Sequence, residues 1–364
     1  MHDYLIIGAG PYGCAFARAA TDAGKRCLVI DRRNHLAGNC YSEKRDGIEV
    51  HVYGPHIFHC NDQEIWDFVN RFGSFNIYRH QVKSRRGGKL YTLPISLQTL
   101  TEVYGHQAPE NLLAVWERSK ILTVQEERDC EAWERRGIAL FGRDIFNLLI
   151  RDYSRKQWGS GAAVPEKVLR RLAIRENYDS SYFSDRYQGI PVEGYTRLYG
   201  KMLEGIECRL GVDYQKERAS LGGLAKQVVY TGALDELYGH CLGSLEWRCL
   251  EFQHERVQKS NVQGMAVLNE AGAAPAWTRT TEHRHFRPEK AAGEVSWITR
   301  EVPGKSGSPA YPVETKENRA LWRQYRDMAA ADGLLVGGRL GEYRYYDMHQ
   351  AIGSALQAVR RLLA

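Results

Sequence analysis

The 364-residue sequence predicts an α/β fold, in which a Rossmann-like domain carries an inserted helical domain and an antiparallel sheet domain. A βαβ pattern opens the chain, because apolar strands at 4–7 and 27–31 enclose a helical stretch. Apolar residues then recur at helical spacing over 110–158. Strand patterns with Gly and Pro turns follow at 225–256 and 295–312. These three observations define the predicted fold class.

The composition is that of a folded protein rather than a disordered one. Hydrophobic residues make up 43% of the chain and charged residues 26%. No run approaches the roughly 18 consecutive apolar residues of a membrane span. The N-terminus leads into a strand without the basic and small-residue segments of a signal peptide. We therefore predict a cytoplasmic protein that does not span a membrane.

The excess of positive charge is small, with 50 Lys and Arg against 44 Asp and Glu. Basic and acidic residues are mostly interleaved, and the domain-wide basic face of a nucleic-acid-binding protein is missing. We predict no nucleic-acid partner. A modest positive balance also fits a small ligand that carries phosphate.

A glycine motif follows the first strand and opens the first helix. Gly8, Gly10 and Gly13 form the pattern G-x-G-x-x-G, which allows a tight turn and close approach of the backbone to a pyrophosphate. The helix N-terminus offers free N–H groups to that anion. Asp31 ends the next strand, at the position where an acidic residue binds ribose hydroxyls. Together they predict a dinucleotide site.

Three further segments favour FAD over a nicotinamide cofactor. Arg33, Gly38 and Asn39 resemble the extension of the glycine motif in FAD-binding proteins of the glutathione-reductase-like class. Tyr230-Thr-Gly232 and Gly337-Gly338-Arg339 resemble the second and third FAD motifs of that class. A second G-x-G-x-x-G pattern is missing from the sequence, so a separate NAD(P)H domain is not indicated.

The histidine and cysteine residues do not predict a metal site. The eight Cys form no C-x-x-C pair, and we expect them to be reduced thiols. His56 and His59 lie three residues apart. They could bind a metal, have an ordinary core or surface role, or belong to a loop that faces the flavin. No carboxylate or thiol ligand set accompanies them, so we predict no metal.

Arg and Tyr recur in polar segments along the second half of the chain, at Arg175, Tyr187, Arg279, Tyr311 and Tyr345. Arg grips phosphate oxygens in a bidentate manner, and Tyr stacks on bases and hydrogen-bonds to sugars. Beside a flavin fold, this set suggests a nucleotide-sugar cleft.

At this point the chain resembles the bacterial UDP-galactopyranose mutase family, over nearly its whole length. The most specific segments are Tyr53-Gly-Pro-His-Ile-Phe-His59, Tyr153-Ser-Arg-Lys-Gln-Trp158, Asp185-Arg-Tyr-Gln-Gly-Ile-Pro191, Tyr230-Thr-Gly232, Tyr311-Pro-Val313 and Tyr343-Arg-Tyr-Tyr-Asp-Met-His349. The resemblance implies an isomerase that interconverts UDP-galactopyranose and UDP-galactofuranose. It also implies reduced FAD as cofactor, an external reductant, a covalent adduct of flavin N5 with the anomeric carbon, a role in making cell-surface polysaccharide, and a homodimer formed through the helical domain.

The resemblance also implies roles for individual residues. Those expected to contact FAD are Gly8, Gly10, Tyr12, Gly13, Asp31, Arg32, Gly38, Asn39, His56, Ile57, Arg339, Tyr346, Asp347, Met348, His349, Gln350 and Ala351. Those expected to contact substrate are Tyr153, Trp158, Arg175, Tyr187, Asn269, Arg279, Tyr311 and Tyr345. His56, Arg175 and Arg279 are the predicted catalytic residues. Arg175 is expected on a loop that closes over the substrate.

Some positions depart from the family pattern. Ala37 replaces a glycine before Gly38, His80 stands where an Asn contacts substrate, and Trp277 replaces a Tyr. His80 and Trp277 are where the shape of the sugar pocket would differ. Alternatives are therefore a mutase for a related nucleotide sugar, such as an N-acetylated or deoxy sugar, and an FAD-dependent oxidoreductase. A non-catalytic FAD-binding protein is a further alternative.

The predicted domain boundaries follow from these segments. The FAD-binding domain is discontinuous and comprises 1–85, 216–245 and 318–364. The helical domain, with the uridine-binding segment, comprises 100–180. The antiparallel sheet domain comprises 86–99, 181–215 and 246–317, and the cleft is expected between the three.

Overall fold

The computed structural model describes residues 1–159, 164, 166–170, 172–221, 223–290 and 293–364. Within them the strands are β1 His2–Ile7, β2 Cys27–Asp31, β3 Ser42–Arg45, β4 Ile48–His51, β5 Phe58–Cys60, β6 Val82–Arg86, β7 Lys89–Leu93, β8 Tyr187–Gly189, β9 Glu207–Leu210, β10 Ala225–Tyr230, β11 Trp247–Val257, β12 Val267–Glu270, β13 Arg279–Glu282, β14 Ser296–Gly304, β15 Ser308–Pro312 and β16 Leu334–Val336.

The helices are α1 Pro11–Asp22, α2 Gln63–Asn70, α3 Leu97–Tyr104, α4 Pro109–Ser119, α5 Val124–Asp129, α6 Ala132–Phe141, α7 Arg143–Ile145, α8 Arg151–Trp158, α9 Glu166–Leu169, α10 Tyr195–Met202, α11 Tyr214–Leu221, α12 Leu234–Leu237, α13 Lys316–Ala331, α14 Gly338–Gly341 and α15 Met348–Leu363. A π-helical turn, Phe146–Ile150, joins α7 to α8, and short 3₁₀ turns cover Gly38–Cys40, His283–Phe286 and Pro288–Lys290.

A five-stranded parallel sheet forms the centre of the Rossmann-like part, in the order β16-β10-β1-β2-β9. The apolar segment at 27–31 is buried throughout, as expected for a strand covered on both faces. β1 pairs with both β2 and β10, so Ile7 lies opposite Ile30 and Tyr230. The strand order reverses at β1, and a crevice therefore opens at its carboxyl end, where such folds bind ligands.

A seven-stranded sheet stands apart from the first, in the order β15-β11-β14-β13-β12-β6-β7. Its pairs are antiparallel except for β12 and β6, which run in parallel. Asn269, Arg279 and Glu301 lie on neighbouring strands of this sheet, with Asn269 opposite Arg279 and Arg279 opposite Glu301. The sheet thus brings three polar side chains together.

Two boundaries of the predicted division differ from the strand pairing. Residues 207–210, predicted in the antiparallel part, form β9 and extend the parallel sheet beside β2. This edge strand is polar and largely exposed, so it lacks the apolar run of a buried parallel strand. Residues 82–85, predicted in the FAD-binding part, belong to β6 in the seven-stranded sheet. The three-domain division itself stays a prediction.

Helices fill the region between α3 and α9, as the periodicity over 110–158 predicts. Trp116, Trp133, Phe141 and Phe146 are buried there and form part of one core that reaches the Rossmann-like part. The predicted helical range 100–180 includes 160–163, 165 and 171, which lie outside the described residues.

The structure also shows the state of the cysteines and whether any described helix could span a membrane. All eight Cys are free thiols, and Cys14, Cys27, Cys40, Cys60 and Cys249 are buried. Among the described helices, none is long and apolar enough to cross a bilayer.

Candidate cofactor and substrate cleft

One large cleft of about 1030 Å³ lies between the carboxyl end of the parallel sheet, the seven-stranded sheet and α8. The residues predicted to bind FAD or substrate line it, apart from three. The lining residues from the prediction are Gly8, Gly10, Tyr12, Gly13, Asp31, Arg32, Gly38, Asn39, His56, Ile57, Tyr153, Trp158, Asn269, Arg279, Tyr311, Arg339, Tyr345, Tyr346, Asp347, Met348, Gln350 and Ala351. Arg175, Tyr187 and His349 do not line it.

The glycine turn after β1 has the close packing that its sequence predicts. Gly8 has φ of +110°, and a Cβ there would lie 2.1 Å from Oγ1 of Thr231. A Cβ on Gly13 would lie 1.9 Å from the carbonyl oxygen of Gly8. No side chain caps the N-terminus of α1, where Gly10 is the N-cap residue. Its first N–H groups therefore face the cleft and are available to an anion.

Asp31 shapes this turn from the end of β2. Its Oδ2 accepts a hydrogen bond from the N–H of Ala9 at 2.8 Å, and its Oδ1 accepts one from the N–H of Arg33 at 2.9 Å. A carboxylate has about four lone-pair positions, so these two bonds leave capacity for a ribose hydroxyl. The buried acid thus joins the glycine turn to the loop after β2.

The third glycine segment packs against Tyr12. A Cβ on Gly337 would lie 2.1 Å from Cζ of Tyr12, so only glycine fits beneath this ring. Burial raises the pKa of Tyr12, which stays a neutral phenol. Arg339 lies in the same wall, and Asp347 begins α15 with a capping box to Gln350.

His56 lies between the two halves of the cleft. Its Nδ1 is 2.8 Å from the carbonyl oxygen of Gly54, which can only accept, so Nδ1 carries the proton. Burial lowers the pKa of His56 to about 4, against the Gly54 hydrogen bond, which raises it. At neutral pH the ring is therefore uncharged, and its Nε2 presents a lone pair.

Two further histidines, His51 and His283, support the backbone of His56 through hydrogen bonds. The N–H of His56 donates to Nδ1 of His51 at 3.1 Å, and the N–H of His51 donates to Nδ1 of His283 at 3.2 Å. Nε2 of His283 then donates to Oγ1 of Thr299 at 2.7 Å. No sequence pattern pointed to this chain of contacts, because its central link joins His51 to His283, 232 positions apart.

The polar centre of the cleft is built on Arg279. Its Nε donates to Oδ1 of Asn269 at 3.3 Å, and its Nη1 lies 3.4 Å from Oε1 of Glu301. Glu301 is buried, and a Cβ on Gly54 would lie 3.2 Å from its Oε1, so the acid also lies against the His56 loop. The sequence prediction missed Glu301, since nothing in its strand distinguishes it from an ordinary surface acid.

Aromatic side chains surround this centre. Tyr311 and Tyr345 stack with ring centroids 5.5 Å apart, and Trp158 lies 6.3 Å from Tyr311. Burial raises the pKa of both Tyr153 and Tyr311, so both hydroxyls remain neutral hydrogen-bonding groups. Such rings stack on bases and offer hydroxyls to sugars.

The side chains of Arg175 and Tyr187 make their contacts outside the cleft. Arg175 donates to the carbonyl oxygen of Asp179 and, at 2.6 Å, to its Oδ2. Tyr187 stacks on Trp66 at 5.2 Å and hydrogen-bonds to Gln63, so β8 directs its ring away from the cleft. In this state neither side chain contacts the substrate region.

His349 was predicted as a flavin contact, but its ring lies beside His59 at 5.2 Å and does not line the cleft. Its position in the first turn of α15 turns it toward β5. His59 itself lines the cleft and lies 2.9 Å from Asp185.

The two positions expected to alter the sugar pocket behave differently. His80 lines the cleft, hydrogen-bonds to the hydroxyl of Tyr78 at 3.2 Å and stacks on Phe183. Burial lowers its pKa to about 3, so it is neutral. Trp277 does not line the cleft, because it packs under the Arg300 guanidinium instead.

Part of the lining of the cleft is apolar. Leu93, Pro94, Leu149, Leu169 and Leu172 form this part. Such a surface suits the face of a nucleoside base. Within the described residues, no group of three His, Cys, Asp or Glu is placed to hold a metal ion.

Two groups of lining residues suit two different ligands. The glycine turn, Asp31 and the uncapped α1 are the groups that bind a dinucleotide pyrophosphate and ribose. Arg279 and the tyrosines are suited to a second, phosphate-bearing ligand. The fold and cleft therefore define a Rossmann-like dinucleotide-binding protein with a second polar subsite beside the first.

The comparisons with known proteins give the family. A family model for UDP-galactopyranose mutase matches residues 148–345, and one for an NAD(P)-binding Rossmann-like domain matches residues 6–72. The chain belongs to the UDP-galactopyranose mutase family of isomerases. This confirms the family and the fold class predicted above, and membership implies a flavin cofactor.

Similar proteins include mutases named for two different nucleotide sugars. The chain is 32% identical to a dTDP-fucopyranose mutase of Escherichia coli, covering 99% of this chain and 98% of that protein. It is 32% identical to a probable UDP-galactopyranose mutase of Klebsiella pneumoniae, covering 99% and 94%. A crystal structure of reduced UDP-galactopyranose mutase has the same fold, with a TM-score of 0.75 at 13% identity over 100% of this chain and 96% of that one.

Proposed function

We propose that the protein interconverts UDP-galactopyranose and UDP-galactofuranose with reduced FAD as cofactor. One observation carries the proposal: the dinucleotide-binding turn and the Arg279 centre face the same cleft of about 1030 Å³. A cleft of this volume is at the upper end for a single small ligand and can hold a second one beside it. A flavin and a nucleotide sugar would then meet near His56.

The residues around the turn fit FAD. Gly8, Gly13 and Gly337 leave space that a Cβ would fill, and Asp31 keeps a free lone-pair direction for ribose. When bound and reduced, FAD would supply through N5 the nucleophile for the anomeric carbon. An external reductant would be needed to form the reduced flavin. The isomerisation has no net redox change, so the substrate supplies no electrons.

The chain's own groups would bind and orient the substrate. Arg279 would hold the diphosphate and offset the negative charge that grows on the leaving nucleotide. Glu301 keeps Arg279 in place, and Tyr311 and Tyr345 would stack against and hydrogen-bond to the sugar. His56, neutral with a lone pair on Nε2, would accept a hydrogen bond beside the flavin.

A second candidate is interconversion of a thymidine-diphosphate 6-deoxy sugar. The E. coli relative, named a dTDP-fucopyranose mutase, is as similar as the K. pneumoniae relative named for the UDP sugar. The apolar lining residues Leu93, Leu149 and Leu172 would also accept the methyl group of thymine. An oxidoreductase has less support, because it would have no use for a diphosphate grip at Arg279.

Purified flavin-loaded protein, reduced with dithionite, decides between the two sugars. UDP-galactofuranose and dTDP-fucofuranose are supplied separately, and products are resolved by chromatography. The proposal predicts a higher kcat/KM for the UDP sugar, and a higher value for the dTDP sugar would favour the second candidate. Turnover of neither would contradict both.

The remaining expectations rest on the family resemblance. We propose a homodimer formed through the helical domain, a cytoplasmic location, and a role in making cell-surface polysaccharide. Sedimentation analysis tests the first, and cell fractionation tests the second. Loss of galactofuranose from surface glycans after deletion of the gene tests the third.

A further inference from the structure

Lys156 is a half-buried cation on α8 whose side chain does not line the cleft. Its Nζ donates to three carbonyl oxygens: Glu270 at 2.8 Å, Trp277 at 2.9 Å and Pro275 at 3.2 Å. An ammonium group has three N–H donors, so all of them are used. The Glu270 carbonyl ends β12, and the other two belong to the connection between β12 and β13.

This connection separates the two residues that build the polar centre. Asn269 lies near the end of β12, and Arg279 is the first residue of β13. The position of the Arg279 side chain therefore depends on how the connection is held. Further along, Oγ1 of Thr278 donates to Oε1 of Gln157 at 3.3 Å, a second bond from the connection to α8.

The same helix, α8, also contributes aromatic side chains to the wall of the cleft. Tyr153, Gln157 and Trp158 line the cleft, whereas Lys156 points to the connection. Lys156 is thus a bridge between the helix that would hold the nucleoside and the strands that would hold the diphosphate. Such a bridge fixes the distance between the two binding groups. A ligand that contacts both groups at once requires this distance to be fixed.

We propose that Lys156 is a positioning residue that sets Arg279 and Asn269 at the spacing a nucleoside diphosphate needs from Tyr153 and Trp158. The inference rests on the proposed function, because it assumes that a nucleotide sugar binds in this cleft. It predicts that Lys156 matters for a ligand that spans both groups and matters little for a nucleoside alone.

The charged groups around Lys156 lead to a second prediction, which concerns how diphosphate affinity depends on pH. Asp152 lies one turn earlier on α8, Glu270 ends β12, and Arg86 on β6 pairs with Asp152. Burial lowers the pKa of Lys156 to about 8, opposed by the charges of Glu270 and Asp152. Above that pH the amine keeps only two N–H donors, so one of the three bonds is lost and diphosphate affinity should decrease.

The experiment compares the flavin-loaded wild type with Lys156→Met, Lys156→Arg and the control Lys259→Met, which alters an exposed lysine. Affinities for UDP, dTDP and uridine are measured by calorimetry at about pH 7 and about pH 9. Losing charged hydrogen bonds should weaken diphosphate binding about tenfold or more in Lys156→Met. Uridine binding should change less than about twofold, and Lys156→Arg should be intermediate, because a planar guanidinium cannot reach all three carbonyls.

Two measurements separate positioning from a general structural role. In an Arg279→Ala background, Lys156→Met should no longer weaken UDP binding, because the effect passes through Arg279. Hydrogen exchange of the amides at 272–278 should speed up in Lys156→Met without ligand. The wild type, but not Lys156→Arg, should lose UDP affinity above about pH 8, the pKa given by burial.

The outcomes distinguish the two proposals. A wild type that binds neither UDP nor dTDP would overturn the proposed function. A wild type that binds them, with Lys156→Met unchanged or equally weakened for uridine, would overturn the role of Lys156 alone. If Lys156→Met does not fold, the pH comparison between the wild type and Lys156→Arg decides the question.

Discussion

Arg279 is the residue that we propose as the main contact for the diphosphate of the substrate. It is partly buried between Asn269 and Glu301 and lines the cleft. Arg279→Ala removes a charged contact in a closed site, so we expect UDP affinity to fall by about 2–5 kcal/mol. Isothermal titration with the flavin-loaded protein measures this change.

Arg300 provides the matched control for that substitution. It lies on β14 next to Glu301 but pairs with Glu255 and does not line the cleft. Arg300→Ala should leave UDP affinity unchanged. An equal effect of both substitutions would show that Arg279 acts through general charge rather than through contact.

Arg175 would have to leave Asp179 to reach a substrate. The pair is partly exposed, and such pairs contribute about 0.2–1 kcal/mol. Asp179→Asn should therefore favour the state in which Arg175 contacts the diphosphate, and lower the KM by up to about fivefold. Steady-state kinetics measure it, with Asp327→Asn, an exposed pair on α13, as control. A KM that rises or stays constant would contradict the expected role of Arg175.

At the residue scale, local motifs were predictable and long-range contacts were not. Gly8, Gly13 and Asp31 follow from spacing within thirty residues, and the structure places all three in the cleft. Glu301 and Lys156 contact segments that are distant in the sequence and meet them only in the folded chain, so neither carried a local signal. Tyr187 does not line the cleft, because its ring stacks on Trp66, and its contact with substrate stays a prediction.

The glycine turn between β1 and α1 is the element on which we expect cofactor binding to depend. A methyl group at Gly13 would lie 1.9 Å from the Gly8 carbonyl oxygen, so the turn would have to open. Gly13→Ala should therefore yield protein with much less bound flavin, measured as visible flavin absorbance per mole of chain. Circular dichroism checks that the variant is folded.

Gly223→Ala is the control for this element. Gly223 has open space where its Cβ would lie, and no strained φ. It should retain its flavin and its fold. Full flavin content in Gly13→Ala would show that the turn does not form the cofactor site.

At the element scale, buried strands and amphipathic helices were predictable because burial imposes a pattern. The strand at 27–31 and the helices over 110–158 are examples. β9 was assigned to the wrong sheet because an exposed edge strand carries no such pattern. The parallel pairing of β12 with β6 joins distant parts of the chain, and no local signal reports it.

The whole molecule contains several histidines that are neutral because they are buried. Burial lowers the pKa of His51 and His80 to about 3, and lowers that of His283 far below its usual value. In the unfolded chain these groups bind protons at a pKa of about 6.5, so stability falls as the pH decreases through that value.

The size of this effect is testable. From about pH 7.5 to about pH 5.5, each of the three should remove about 1.4 kcal/mol of the free energy of unfolding, or about 4 kcal/mol together. Urea unfolding at the two pH values measures it. His80→Asn should reduce the loss by about 1.4 kcal/mol, and a stability independent of pH over this range would contradict the buried neutral state.

The central claim is that one cleft brings a flavin and a nucleotide sugar together for isomerisation. The most direct test is turnover of UDP-galactofuranose by one preparation of flavin-loaded protein, before and after reduction with dithionite. The account predicts conversion to UDP-galactopyranose only after reduction. Equal conversion by oxidised protein, or conversion by protein stripped of flavin, would contradict it.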